Sequence, residues 1–147
     1  MSTTAARSTG VFALLRAAGT LEGFVEARLA EVGLSIPKLA ALQRLADAGD
    51  ALPLGQLAER LACVKSNVTQ LVDRLEADGL VSRETDSLDK RCRRAIITDA
   101  GRHAREEGAR IQREAERQLF AALSDEDRDQ LATILGKLGS SLKSCCE

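Results

Sequence analysis

Residues 54–101 read LGQLAERLACVKSNVTQLVDRLEADGLVSRETDSLDKRCRRAIITDAG, and the fold of the chain turns on them. Val68, Leu71, Val72 and Leu75 recur at i, i+3, i+4 and i+7, a single apolar stripe at helical period. At roughly 100° per residue, Ser66, Gln70, Asp73 and Ala77 point away from that stripe. Lys65, Asn67, Thr69 and Arg74 lie on its flanks. The outward face therefore carries small polar groups and no bulky apolar residue. Such a face fits a major groove and offers hydrogen bonds to base edges. Ahead of it, Pro53 opens a short helix, Leu54 to Leu61, whose Leu57, Ala58 and Leu61 face inward. Behind it, Asp78-Gly79 ends the helix with Gly79 at the left-handed cap position. A hairpin follows from Leu80 to about Thr85 and back from about Cys92 to Ile97, around a loop, Asp86 to Arg91, too polar to be core.

The run LAERLACVKSNVTQLVDRLEADGLVSRE, followed by Asp89-Lys90-Arg91 and Ile97-Thr98-Asp99-Ala100-Gly101, resembles the winged helix-turn-helix of MarR-type transcription regulators. A leading helix, a Ser-Ile-Pro helix entry and two long C-terminal helices extend the resemblance over nearly the whole chain. The Asp-x-Arg at the wing and the Ile-Thr-x-x-Gly entering the next helix are specific in combination and weak singly. The resemblance implies a mainly α fold with a small β-hairpin wing, a single domain spanning residues 1–147. Within it, 35–101 would form the winged DNA-binding region, and 11–33 with 102–147 the dimerisation helices. It implies a sequence-specific DNA-binding regulator, a homodimeric repressor on a pseudo-palindromic double-stranded operator, released by a small-molecule or oxidant signal.

The DNA-binding residues expected on this basis are Lys65, Ser66, Asn67, Thr69, Gln70 and Arg74 on the recognition helix, and Asp89, Lys90, Arg91 and Arg93 on the wing. An arginine at a hairpin tip reaches a narrow minor groove and its enhanced negative potential. The wing Asp–Arg pair is a hallmark of the family, and its carboxylate is expected to restrict the guanidinium. Two positions depart from the pattern. Cys63 occupies a turn where the family commonly has an aliphatic residue, and Val64 stands where it has a Ser or Thr cap. The recognition helix is then expected to begin one residue later or to take Ser66 as its cap.

Composition agrees and adds limits. A chain of 147 residues makes one domain or a small core with helical extensions. No stretch approaches the roughly 18 apolar residues of a membrane span and none reads as a signal peptide, so a cytoplasmic protein is expected. Aromatic residues are 2%, without Trp or Tyr, so the core must be aliphatic. Net charge is −1, unlike a non-specific nucleic-acid coat. Its distribution is more telling: between Ser87 and Arg105 six Lys/Arg face two acids, a local +4 where the wing should be.

Outside the central stretch, Val11 to Val32 gives a helical pattern interrupted by Gly19 and Gly23, each costing about 1 kcal/mol against Ala. Gly33 stops it. Ser35 is an N-cap with Pro37 in the first turn of a helix carrying Leu39, Leu42 and Leu45, closed by Gly49-Asp50. Leu52 is expected to form a single bridge to the wing sheet. Thr98 caps a fifth helix running to about Leu123, with Asp99 favourable to its dipole. Ser124 and Asp127 resemble a capping box ahead of a last helix bearing Leu131, Ile134, Leu135, Leu138 and Leu142 on one stripe. The terminal stripes are too apolar to face water, and the economical partner for them is a second copy of the chain.

Four cysteines without an export signal suggest free thiols in a reducing compartment. Cys63 reads either as a small buried hydrophobe or as a sensing thiol. Cys92, beside Lys90, Arg91, Arg93 and Arg94, sits where cations favour thiol reactivity. His103 is the only histidine and no metal-ligand spacing is present, so no metal or other cofactor is expected, although Cys145-Cys146 leaves a soft-metal site open. There is no nucleophile elbow or phosphate loop and no histidine beside a candidate nucleophile, so an enzyme is not expected. Two function classes stand: the DNA-binding regulator, and a winged-helix protein-interaction module that has lost DNA binding. The basic wing and the small polar helix face favour the first.

Overall fold

Six helices and three strands form among residues 10–61 and 65–145, the part of the chain described in a computed structural model; the side chains of 65, 66 and 143–145 lie outside it. In order they are α1 (Val11–Ala30), α2 (Ile36–Asp47), β1 (Ala51–Pro53), α3 (Leu54–Leu61), α4 (Lys65–Ala77), β2 (Val81–Thr85), β3 (Arg93–Ile97), α5 (Asp99–Phe120) and α6 (Asp125–Cys145). The mainly α class with a small hairpin wing is what forms. Residues 1–112 and 113–147 make two compact units.

In the first unit, α1 runs unbroken past Gly19 and Gly23, because its hydrogen-bond ladder outweighs their extra backbone freedom. It ends at Ala30 rather than near Val32: the Leu34 N–H turns back to the Leu29 carbonyl at 3.0 Å, drawing the chain out of the helix early. Ser35 caps α2 as expected, its Oγ accepting from the Lys38 N–H at 3.3 Å, with Pro37 in the first turn. β1 is a full short strand instead of a single bridge. Ala51, Leu52 and Pro53 pair antiparallel with Ile96, Ala95 and Arg94, giving a three-stranded sheet in the order β1-β3-β2. The strand forms because Leu52 buries beside Ala95, and Pro53, which lacks an N–H, sits at the edge where no donor is needed.

The core is aliphatic throughout. Leu29, Leu42, Leu45 and Leu57 meet Val68, Val72 and Leu75 of the α4 stripe, all at most 1% exposed. Burying each such side chain contributes about 1.5–3 kcal/mol, so the stripe holds α4 in place while its other face stays in water. The first part of α5 closes the layer from the other side. A Cβ at Gly108 would lie 2.7 Å from Leu39 Cδ1 and 2.8 Å from Leu34 Cδ1, so a larger residue there would have to displace the ends of those two leucine side chains.

In the second unit, α5 ends at Phe120, short of the expected Leu123. The Phe120 carbonyl accepts from the Leu123 N–H at 3.0 Å and from Arg128 Nη2 at 2.9 Å, bonds that cap the helix there. The capping box at α6 forms reciprocally: the Ser124 N–H donates to Asp127 Oδ2 at 3.0 Å and the Asp127 N–H to Ser124 Oγ at 3.1 Å. Those bonds, the backbone one foremost, hold the Asp127 carboxyl below its ordinary range. Phe120, Arg128, Leu131, Ala132 and Leu135 line an open apolar groove of about 240 Å³. Ile134, Leu135, Leu138 and Leu142 of α6 are exposed, as are Val11, Phe12, Leu14, Leu15 and Leu21 of α1. No helix among the described residues is long and apolar enough to cross a membrane.

Candidate nucleic-acid interface

Two polar surfaces flank the sheet, and the chain between them fixes both. α4 is held by its buried stripe and terminated by a left-handed Gly79 with φ 74°. There the Leu80 N–H reaches the Leu75 carbonyl and the Gly79 N–H the Glu76 carbonyl, each at 2.9 Å. This paired closure satisfies the last helical carbonyls and delivers the chain directly into β2. Thr98 then ties the return strand to the same corner. Its Oγ1 donates to the Gly79 carbonyl at 2.7 Å and accepts from the Gly101 N–H at 3.0 Å, capping α5 in the same stroke. A Cβ on Gly101 would collide with the Leu80 carbonyl oxygen, so α5 starts flush against the hairpin.

On α4, Gln70 is exposed opposite buried Val68, Leu71, Val72 and Leu75, and Asn67, Thr69 and Arg74 are exposed on the flanks of that stripe. Lys65 and Ser66 lie in the first turn of α4, and their side chains fall outside the described residues. Cys63 and Val64, and with them the expected departure in the cap, also fall outside. The helix itself begins at Lys65.

The wing loop is ordered by its own carboxylates. Asp86 Oδ1 accepts from the Leu88 N–H and Asp89 Oδ1 from the Arg91 N–H, each at 2.9 Å. The Asp86 N–H donates to the Cys92 carbonyl and the Cys92 N–H to the Asp89 carbonyl, again at 2.9 Å. Asp89 thus holds the backbone of Arg91, where the expectation was a hold on its guanidinium. An aspartate is short enough to reach the N–H two residues on and closes a local turn with it. Asp89, Lys90, Arg91 and Arg93 are exposed, while Cys92 is half-buried at the base of β3.

Two arrangements were not legible in the linear reading. Arg83 on β2 makes an ion pair with Asp73 of α4, and its Nε lies 3.3 Å from Glu76 Oε2. The signal was there: Arg83 follows buried Val81 by two, so it shares the inward face of a strand, where a cation demands a partner. The second is Asp50, whose φ is 78°. Its carbonyl accepts from the Ile97 N–H at 2.9 Å and its Oδ2 from Arg102 Nη2 at 2.8 Å. Arg102 Nη1 also lies 2.5 Å from Asp99 Oδ1. The Asp50 hydrogen bond, ahead of the other charges, raises the Arg102 guanidinium above its ordinary value. This cluster pins the start of α5 to the turn before β1.

Comparison with known proteins bears on this arrangement. The model of the MarR family matches residues 34–93, the stretch from the entry of α2 to the start of β3. The HTH-type transcriptional regulator YkoM of Bacillus subtilis is 35% identical over 109 residues, 74% of this chain and 70% of that one. The transcriptional repressor MprA of Escherichia coli is 33% identical over 87 residues, 59% of this chain and 49% of that one. A crystal structure of an E. coli MarR variant complexed with operator DNA superposes with a TM-score of 0.77 at 18% identity, covering 85% of this chain and 89% of that one. At that identity the superposition speaks for the fold alone. The relatives are transcriptional regulators, not enzymes.

Proposed function

Because this chain belongs to the MarR family of DNA-binding transcriptional regulators, we propose that it acts in the cytoplasm as a homodimeric repressor of a pseudo-palindromic operator, released by a small-molecule or oxidant signal. The observation that carries this reading is the exposed row Asn67, Thr69, Gln70 and Arg74 on a helix whose opposite face is buried. A rigidly seated helix with short polar groups outward is suited to base-edge hydrogen bonds in a major groove. Exposed Lys90, Arg91 and Arg93 on an ordered loop supply the cations for an adjacent minor groove.

Dimerisation is supported by the apolar residues left in water. Phe12 is 81% exposed on α1 and Leu142 68% on α6, each within a stretch of exposed aliphatic neighbours. Contiguous apolar patches of this kind mark association sites, and two copies related by a twofold axis match a palindromic target. Repression follows from occupancy of the operator, in keeping with the repressor among the relatives.

The test is a gel shift of the full chain against a random-sequence duplex pool with rounds of selection, repeated across a salt series. Retained duplexes should share half-sites centred about 34 Å apart, and affinity should fall steeply with salt. If every duplex shifts equally, or none shifts at low salt, the chain is no operator-binding repressor, and the winged unit is left as a protein-docking module.

A further inference from the structure

The outward face of α4 carries a carboxylate where a phosphate-lined groove would lie. Asp73 sits one turn beyond Gln70 on that face, and Glu76 follows three residues later. Duplex DNA bears roughly one phosphate charge per 1.7 Å of axis, so two uncompensated carboxylates beside the reading residues would oppose binding. Arg83 meets both. Its side chain is 15% exposed, against 56% for Asp73 and 46% for Glu76. Nη2 makes a charge-assisted hydrogen bond to Asp73 Oδ1. Nε lies 3.3 Å from Glu76 Oε2 but is not aligned to donate to it, so that contact is charge proximity alone. The guanidinium therefore lies against the helix with its charge directed at these two acids and little surface left for DNA.

We propose that Arg83 is a positioning residue for operator binding, resting on the DNA-binding reading above: it masks Asp73 and Glu76 and joins the wing strand β2 to the recognition helix without itself contacting DNA. The masking lowers the negative potential that phosphates meet at α4. The join places the helix face and the wing loop on one rigid body, since β2 runs directly into that loop. A residue that only reinforced the fold would alter stability and leave the charge balance of binding alone. A residue that masks charge has a signature in salt and in rescue.

The parent, Arg83→Met, Asp73→Asn and the double variant Arg83→Met/Asp73→Asn, all full-length, are titrated by fluorescence anisotropy onto one duplex selected by the parent from a random pool. The titrations run at about 50 and about 200 mM salt. Arg83→Met should bind about tenfold more weakly at the lower salt, the scale of one unmasked charge near a surface. The gap should narrow at the higher salt as the screening length falls below about 8 Å. Asp73→Asn in the same background should restore affinity to within about threefold of the parent. Arg83→Gln, which keeps a donor for Asp73 but no charge, carries the same expectations if Arg83→Met does not fold. Equal affinity of the parent and the Arg83 variant overturns the proposal. So does a loss that is constant with salt and unrelieved by Asp73→Asn, the pattern of a packing defect. A parent that selects no duplex overturns the DNA-binding reading, and this inference with it.

Discussion

Arg91 shows how much a single residue's role depends on its loop. The guanidinium is exposed while its own N–H is held at 2.9 Å by Asp89 Oδ1, so the loop presents the arginine without engaging its charge. A planar, weakly hydrated guanidinium enters a narrow groove at less desolvation cost than an ammonium. Arg91→Ala should leave folding intact and weaken operator binding by about 1–3 kcal/mol per half-site, the scale of a good groove contact. Asp89→Ala should act in the same direction and less steeply, because it removes the turn that aims the arginine and not the arginine itself. Fluorescence anisotropy on the three proteins at one salt concentration checks both; equal affinities would mean that the wing does not touch DNA. The presence of an arginine at the tip was readable from the local run of cations. The partner of Asp89 was not, because two donors of Arg91 lie within its reach and only the loop's backbone geometry selects between them.

At the scale of elements, helix starts and stops govern how α4 meets the wing. Gly101 is buried with no room for a side chain, because the Leu80 carbonyl oxygen occupies the place of a Cβ. Gly101→Ala should force α5 away from the hairpin and lower stability by about 1–3 kcal/mol, the usual cost of overpacking. A thermal melt that matches the parent would show that α5 yields without strain. At α6 the effect is electrostatic. Hydrogen bonds from Ser124 depress the Asp127 carboxyl in the folded state, so its contribution is fully present above the unfolded value of about 3.9. It is lost as pH falls through the lower folded value. The melting difference between parent and Asp127→Asn should accordingly be constant above about pH 5 and shrink toward about pH 2. A difference that grows on acidification would refute the sign. Ser124 and Asp127 were legible as a box because the motif is local in sequence. The early end of α5 was not, since Arg128 reaches back across the turn to Phe120.

For the molecule as a whole, the unsettled surface is apolar. Phe12 on α1 and Leu138 on α6 are exposed within stretches of exposed aliphatic residues, and a dimer is the assembly expected to cover them. Phe12→Glu and Leu138→Glu, made separately in the full chain, should each shift sedimentation from dimer toward monomer. Neither touches the buried core, so far-UV circular dichroism should stay close to the parent's. A charge in a dimer seam is costly because it must be desolvated without a partner. If both variants sediment as the parent does, those residues lie outside the interface. Since half-site spacing depends on the twofold pairing, variants that dissociate should also lose operator selectivity before they lose general affinity for DNA.

Sequence alone determined what depends on neighbours within about two helical turns. The apolar stripe of α4, the Ser35 and Thr98 caps, the glycine stop at Gly79 and the capping box of α6 are each properties of short segments, and each formed where periodicity and capping chemistry placed it. The outward polar row followed from the same short-range rules, and the class of fold from these elements together with the family resemblance they carry. Tertiary structure alone decided the pairings between distant residues. Leu52 extended its bridge into a strand only because Ala95 came to lie opposite it. Arg83 found Asp73, and Asp50 found Arg102, through the meeting of elements that no local pattern links. Charge and hydrogen bonding act at contact distance, whereas a linear sequence records separation along the chain. The contacts that aim this site therefore came into view only once the helices, the strands and the wing had packed.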